Sequence, residues 1–116
     1  MRITHLALRT RRLEQVTHFY RDVLGLKERE RRPNGSVWLA AGDAILMVEA
    51  ALEGEPAVPE GSMDFLSFRI APNERAAFSA KLEEAGVRVE AETPFTLYVR
   101  DPDGRRVGVS HFPDPV

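Results

Sequence analysis

One order of strand-like and helix-like segments runs twice through this chain, once in each half. In the first half, a strand-like alternation at 3–8 is followed by apolar residues at helical spacing between Leu13 and Leu24. Thr10 is a plausible helix cap, and Gly25 ends the helix. Three extended segments complete this half, at 26–32, 36–41 and 44–50.

The second half repeats this order. A strand at 63–70 precedes a helix that begins at Asn73 as its cap and ends at Gly86. Three further strands are predicted at 87–91, 95–100 and 106–112. The last two are joined by the tight turn Asp101-Pro102-Asp103-Gly104. Each half therefore reads as one βαβββ module, although the two sequences barely match.

The pattern predicts an α+β fold with modules at 1–50 and 63–116, joined by a linker at 51–62 that is rich in Pro, Gly and Glu. Together the modules would make one domain, because a module of about 50 residues buries too little surface to be secure alone. We expect curved mixed sheets around a cleft, with the helices on the opposite side. Strand alternation points His5, Glu49, Phe65 and Gly108 toward that cleft.

The composition of the chain excludes several classes of function. The 116 residues include no cysteine, which excludes disulfides and thiolate chemistry and fits a cytoplasmic protein. The net charge of −2 gives no broad attraction to nucleic acid. No apolar run approaches the roughly 20 residues that a membrane span needs. No glycine-rich phosphate loop or nucleophile elbow is present.

Several short motifs resemble the glyoxalase/bleomycin-resistance/dioxygenase family, also called the vicinal oxygen chelate (VOC) superfamily. The most specific are FYRDVLGL at 19–26 and DPDG at 101–104, supported by ITHLAL, LMVEA and DFLSFRI. The resemblance implies two βαβββ modules around a cleft. It also implies that a chain of this length pairs as a homodimer and acts on a small molecule.

The same resemblance implies a metal site with four ligand positions, which map to His5, Glu49, Phe65 and Gly108. Two of these residues are not metal donors, whereas catalytic zinc sites keep about three protein ligands. We therefore expect no cofactor, or a divalent Zn, Ni, Mn or Fe ion held weakly by His5 and Glu49. His111 faces away from Gly108 by strand alternation.

Without a complete metal site, the cleft becomes an apolar and aromatic pocket. Trp38, Phe65 and Tyr98 are candidates to stack on a planar ligand, and Ser67 and Arg69 to fix an anionic or carbonyl group. The remaining candidate ligand-binding residues on these faces are Met47, Gly108 and Ser110.

Two hypotheses follow, and the sequence leaves open whether the protein is an enzyme. The first is a small-molecule binding protein that sequesters a planar or aromatic ligand. The alternative is a metal-dependent lyase, isomerase or dioxygenase-like enzyme, with the metal on His5 and Glu49 and with Glu49 as the general base. Outside these roles, His5 would bond a backbone carbonyl, and Glu49 would pair with an arginine such as Arg69. A third reading is a partner subunit that uses ligands from a different chain.

Overall fold

A computed structural model describes all 116 residues, and the chain divides into two compact units, Met1–Ala57 and Val58–Val116. Each unit contains one four-stranded mixed sheet and one main helix. The α+β class and the repeated module are therefore confirmed. Residues 51–62 form neither helix nor strand, and the boundary between the units falls inside them.

The first unit contains β1 (His5–Thr10), α1 (Leu13–His18), β2 (Lys27–Arg31), β3 (Val37–Ala41) and β4 (Ala44–Ala50), with strand order β1-β4-β3-β2. The first strand runs parallel to β4, and the other pairs are antiparallel. Helix α1 packs against β4. The buried side chains come from the helical segment and from one face of the sheet: Leu8, Val16, Phe19, Tyr20, Val23, Val37, Leu39, Leu46 and Val48.

Two details of the first helix differ from the sequence expectation. Arg12, not Thr10, is the cap residue, and Thr10 contributes by accepting a hydrogen bond from the Arg12 amide at 2.9 Å. The helix then continues as a π-helical segment over Phe19–Val23. This wider turn includes buried Phe19 and Tyr20, whose rings meet edge to face.

The second unit contains β5 (Phe65–Arg69), α2 (Arg75–Glu84), β6 (Ala91–Glu92), β7 (Thr96–Arg100) and β8 (Arg106–Ser110), with strand order β5-β8-β7-β6. Its core lies on one face of this sheet and includes Ile70, Leu82, Leu97, Val99, Val107 and Val109. The predicted turn between the last two strands is present. The Asp101 carboxylate accepts hydrogen bonds from the amides of Asp103 and Arg105.

Two predicted boundaries in this unit are wrong. Asn73 does not cap the helix, because a short 3₁₀ turn, Pro72–Glu74, precedes it and the Glu74 side chain accepts from the Ala71 amide at 2.7 Å. The strand predicted at 87–91 is reduced to Ala91–Glu92.

No helix in the chain is both long enough and apolar enough to cross a bilayer.

Candidate functional site

Each sheet has one face that is not covered by its own helix, which we call its open face. In the first unit, β1 and β4 pair so that His5 lies opposite Ile45 and Arg9 lies opposite Glu49. Trp38 on β3 lies opposite Met47. Strand alternation therefore places His5, Met47, Trp38 and Glu49 on one open face, as the sequence predicts.

The structure does not bring His5 and Glu49 together. Glu49 lies four residues beyond the register partner of His5, which is about 13 Å along a strand. The Glu49 carboxylate instead lies 3.7 Å from Arg9 Nε, while His5 Nδ1 lies 2.9 Å from Thr4 Oγ1. No group of three or more His, Asp or Glu side chains converges anywhere in the chain. These donors do not fit one shared metal ion.

Trp38 is the aromatic residue on the open face of the first unit. The Arg32 guanidinium lies 5.0 Å from its ring centroid, a cation–π distance. Arg32 is also paired with Glu30 at 2.8 Å. Trp38 is half-buried, so part of the indole remains accessible beside Met47.

The open face of the second unit is built around an aromatic pair. Phe65 on β5 and Tyr98 on β7 lie on either side of β8, where the intervening residue is Gly108. Their ring centroids are 4.8 Å apart with an interplanar angle of 36°. A Cβ atom at position 108 would lie 2.7 Å from Phe65 Cζ, so glycine provides the space that the phenyl ring occupies. Phe65 is still 41% exposed.

Arg106 completes this aromatic cluster, and it was not among the ligand-binding residues predicted from the sequence. It lies opposite Phe65 in the β5–β8 register, and its guanidinium carbon is 4.2 Å from the Tyr98 ring centroid and 6.0 Å from that of Phe65. Its Nε atom is buried and makes no hydrogen bond. The signal was available, because Arg106 and Gly108 share one strand face by alternation.

The Glu90 carboxylate lies beside this cluster, near two arginine side chains. Glu90 receives both of its hydrogen bonds from Arg100 Nε, whereas Arg106 Nε lies 4.0 Å from the nearer Glu90 oxygen. Arg100 is further fixed by the carbonyl oxygens of Ser62 and Gly104. The group therefore carries one excess positive charge on the open face.

The other predicted binding residues lie farther along the same face. Ser67 is opposite Gly108, and Arg69 is opposite Ser110. Arg69 is paired with Asp114 at 2.6 Å, and Ser110 Oγ accepts a hydrogen bond from Thr96 Oγ1 at 2.8 Å. Arg69 and Ser110 thus already have partners within the unit.

His111 lies at the end of β8 and is fully buried. Its Nδ1 atom lies 2.6 Å from the Asp114 carbonyl oxygen, and its Nε2 atom lies 3.3 Å from Arg75 Nη1. A neutral imidazole with the proton on Nδ1 satisfies both contacts. The residue connects the C-terminal segment to the start of α2 and does not reach the open face.

The strongest electrostatic perturbation lies on the first helix. Hydrogen bonds from Arg21, and then from His18, lower the pKa of Asp22 to about 2. The Asp22 carboxylate in turn raises the pKa of Arg21, with a further contribution from Glu28. These ion pairs lie in the first unit, where the side chains of Arg21 and Asp22 are partly exposed.

Comparisons with known proteins agree on the fold. Residues 2–109 match the profile of the Glyoxalase/Bleomycin resistance protein/Dioxygenase superfamily. A lactoylglutathione lyase from Agrobacterium tumefaciens superposes with a TM-score of 0.73 and 25% identity, over 94% of this chain and 92% of that one. The fosfomycin resistance protein FosX from Listeria monocytogenes gives 0.79 and 14% identity, over 95% and 90%.

A mutant of the same Listeria protein, solved with Mn(II) and 1S,2S-dihydroxypropylphosphonic acid, gives a TM-score of 0.80 at 15% identity, over 95% of this chain and 89% of that one. Structural relatives therefore include proteins that bind a divalent metal and a small molecule. No curated protein matches this sequence.

Proposed function

Since this chain belongs to the Glyoxalase/Bleomycin resistance protein/Dioxygenase superfamily, we propose that it is a small-molecule binding protein that holds a planar aromatic ligand on the open face of its second unit. The observation that carries this proposal is the arrangement of Phe65 over Gly108 and beside Tyr98. A large apolar ring that stays 41% exposed on a sheet face offers surface that a second ring can cover.

The energetics favour a ligand that is flat. Aromatic pairs prefer offset-stacked or edge-to-face geometry and contribute about 0.5–1.5 kcal/mol beyond the area they bury. The Phe65 ring is held on one side by the backbone of Gly108 and on another by Tyr98, so little side-chain freedom remains to be lost on binding. The hydroxyl of Ser67 on the same face would orient the ligand.

A matched pair of alanine variants tests this proposal. Phe65→Ala should weaken binding of a neutral planar probe such as 2-naphthamide by about tenfold, because the stacking surface is removed. Phe112→Ala removes an equally large ring that is 64% exposed and packs edge-on against Phe95, so it should leave the affinity within about twofold. Equal affinities of wild type and Phe65→Ala, measured by calorimetry, would remove the basis of the proposal.

Trp38 offers a second aromatic surface, in the first unit. Its indole is half-buried and already carries Arg32 on one side, which leaves less of the ring for a ligand than Phe65 has. We therefore expect Trp38→Ala to weaken probe binding less than Phe65→Ala does. The same titration measures this difference. A loss confined to Trp38→Ala would move the site to the first unit, with Met47 as its neighbour.

The second candidate function is a metal-dependent lyase, isomerase or dioxygenase-like enzyme. The similarity to a Mn(II)-bound FosX supports it, as does the imidazole of His5 on an open face. The separation of His5 from Glu49 opposes a shared ion on this pair, and the Glu49 carboxylate is instead in an ion pair with Arg9.

The family resemblance also supports a homodimer, and the lack of cysteine in the sequence fits a cytoplasmic location. Large exposed apolar side chains are present in both units, including Leu6 and Met63. Sedimentation of the purified chain tests whether it is a homodimer, and cell fractionation tests whether it is cytoplasmic.

A further inference from the structure

Arg106 lies beside the aromatic cluster of the second unit, and its positive charge is only partly neutralised by a carboxylate. Arg106 stacks 4.2 Å from the Tyr98 ring centroid, and its side chain is 18% exposed. A cation over an aromatic ring is attracted by the negative face of that ring. Arg106 is therefore held beside the Tyr98 ring, next to Phe65.

The carboxylate nearest to Arg106 is committed elsewhere. Glu90 accepts two hydrogen bonds from Arg100 Nε, at 2.5 and 3.2 Å, but lies 4.0 Å from Arg106 Nε. The buried Nε of Arg106 makes no hydrogen bond. Two guanidinium groups thus share one carboxylate, and Arg106 has only the longer, 4.0 Å ion pair with it. This excess of one positive charge lies in a partly desolvated position, where a charge-assisted bond is stronger than in water.

The other arginine predicted for anion binding does not share this property. Arg69 forms an ion pair with Asp114 at 2.6 Å, and its side chain is 67% exposed. An anion there would compete with an existing carboxylate in a well-hydrated position. The structure therefore favours Arg106 over Arg69.

We propose that Arg106 binds the anionic group of the ligand, so that the open face of the second unit selects planar aromatic carboxylates. This inference rests on the proposed function and adds the chemical class of the ligand. The Arg106 guanidinium carbon lies 6.0 Å from the Phe65 ring centroid, so a ring lying on Phe65 has the cation within reach of one substituent. A carboxylate conjugated to an aromatic ring lies in the plane of that ring and matches the flat fork of a guanidinium.

The test compares two probes that differ in charge. Calorimetry with 2-naphthoate and 2-naphthamide is performed on wild type, Arg106→Gln, Arg106→Lys, Arg69→Gln and Arg31→Gln. We expect wild type to bind the carboxylate about tenfold more tightly than the amide. Arg106→Gln should abolish this preference by weakening 2-naphthoate alone, and Arg106→Lys should keep part of it because the charge remains without the fork.

Arg31→Gln is the control for net charge, because Arg31 lies in the first unit and pairs with Glu14 and Glu28. It should change neither affinity by more than about twofold. Melting temperatures establish that each variant is folded. If Arg106→Gln does not fold, Arg106→Lys and the wild-type preference decide the question.

Three results overturn the inference, and they are distinguishable from failure of the proposed function. Equal affinity of wild type for both probes would show that charge is not selected, although a planar ligand still binds. A preference that survives Arg106→Gln, or one that is lost in Arg69→Gln instead, would assign the anion to another residue. If neither probe binds wild type, the proposed function itself fails, and the inference fails with it.

Discussion

The phenyl ring of Phe65 lies against the α-carbon of Gly108, on the neighbouring parallel strand. A Cβ atom at position 108 would approach Phe65 Cζ to 2.7 Å and the Leu97 carbonyl oxygen to 2.8 Å. Both distances are shorter than ordinary van der Waals contacts between a Cβ atom and a non-bonded carbon or oxygen. The glycine and the aromatic residue therefore fit each other, and replacing either one changes the surface on which a ligand would lie.

Gly108→Ala should destabilise the chain by about 1–3 kcal/mol, because the added methyl group overpacks a filled position. Phe65→Ala should relieve part of this loss but not all of it, since the contact with the Leu97 backbone remains. Urea denaturation of both single variants and the double variant measures the coupling. Strictly additive losses would contradict direct contact between the two residues.

His111→Ala should destabilise the chain by about 2–4 kcal/mol, because a fully buried imidazole and its two polar contacts are lost. His18→Ala is the matched control. His18 is 65% exposed and pairs only with Asp22 at the surface, so its loss should be under about 1 kcal/mol. Denaturant midpoints compare the two, and equal losses would contradict the placement of His111 in the core.

The acid stability of the first helix should depend on Asp22. Its pKa is about 2 in the folded chain and 3.8 for the free group, so the folded state favours the charged carboxylate. The resulting stability is present above pH 4 and is lost as the pH falls toward 2. Asp22→Asn should therefore reduce the change in melting temperature between pH 5 and pH 2.

The effect of Asp22→Asn should be small. The side chain is 42% exposed, so solvent screening limits its contribution to about 1 kcal/mol or less. Asp43→Asn is a suitable control, because Asp43 is 90% exposed and contacts only Arg2 at 3.5 Å. Identical pH profiles for Asp22→Asn and wild type would show that the ion pairs around Arg21 do not stabilise the fold.

The separation of His5 from Glu49 makes a prediction about metals. If Zn²⁺, Ni²⁺, Mn²⁺ or Fe²⁺ raises the melting temperature of the chelator-treated protein, His5→Ala and Glu49→Ala should not both abolish the rise. Two donors about 13 Å apart along the strands cannot both ligate one ion without rearrangement. A rise lost in each single variant would restore the shared metal site and the enzyme hypothesis.

Much of the fold follows from patterns that the sequence displays. Strand alternation assigned His5 and Glu49 to one face of the first sheet, and in the structure they share that face, with Leu8 and Leu46 buried on the opposite one. The errors lie where local polar interactions compete with periodicity. Glu74 accepts a hydrogen bond from the Ala71 amide just before the helix that Asn73 was expected to cap. Of the strand predicted at 87–91, only Ala91 is in β6, where it and Glu92 pair with β7.

The candidate site was less predictable, because its chemistry depends on which partner each charged side chain takes. Glu49 was expected to pair with an arginine such as Arg69, but its partner is Arg9, directly opposite on β1. Arg69 pairs instead with Asp114 near the chain end. Arg106 lies over Tyr98, while the hydrogen bonds of the Glu90 carboxylate go to Arg100. Strand alternation does not determine which of several neighbouring charged side chains each residue pairs with.

The most direct test of the proposed binding surface is to locate a bound planar probe by nuclear Overhauser effects. With 2-naphthoate present in excess, we predict intermolecular effects between the naphthalene protons and the ring protons of Phe65 and Tyr98, because these rings form the exposed cluster on the second unit. Effects to Trp38 and Met47 alone, or none under conditions where calorimetry detects binding, would contradict the account.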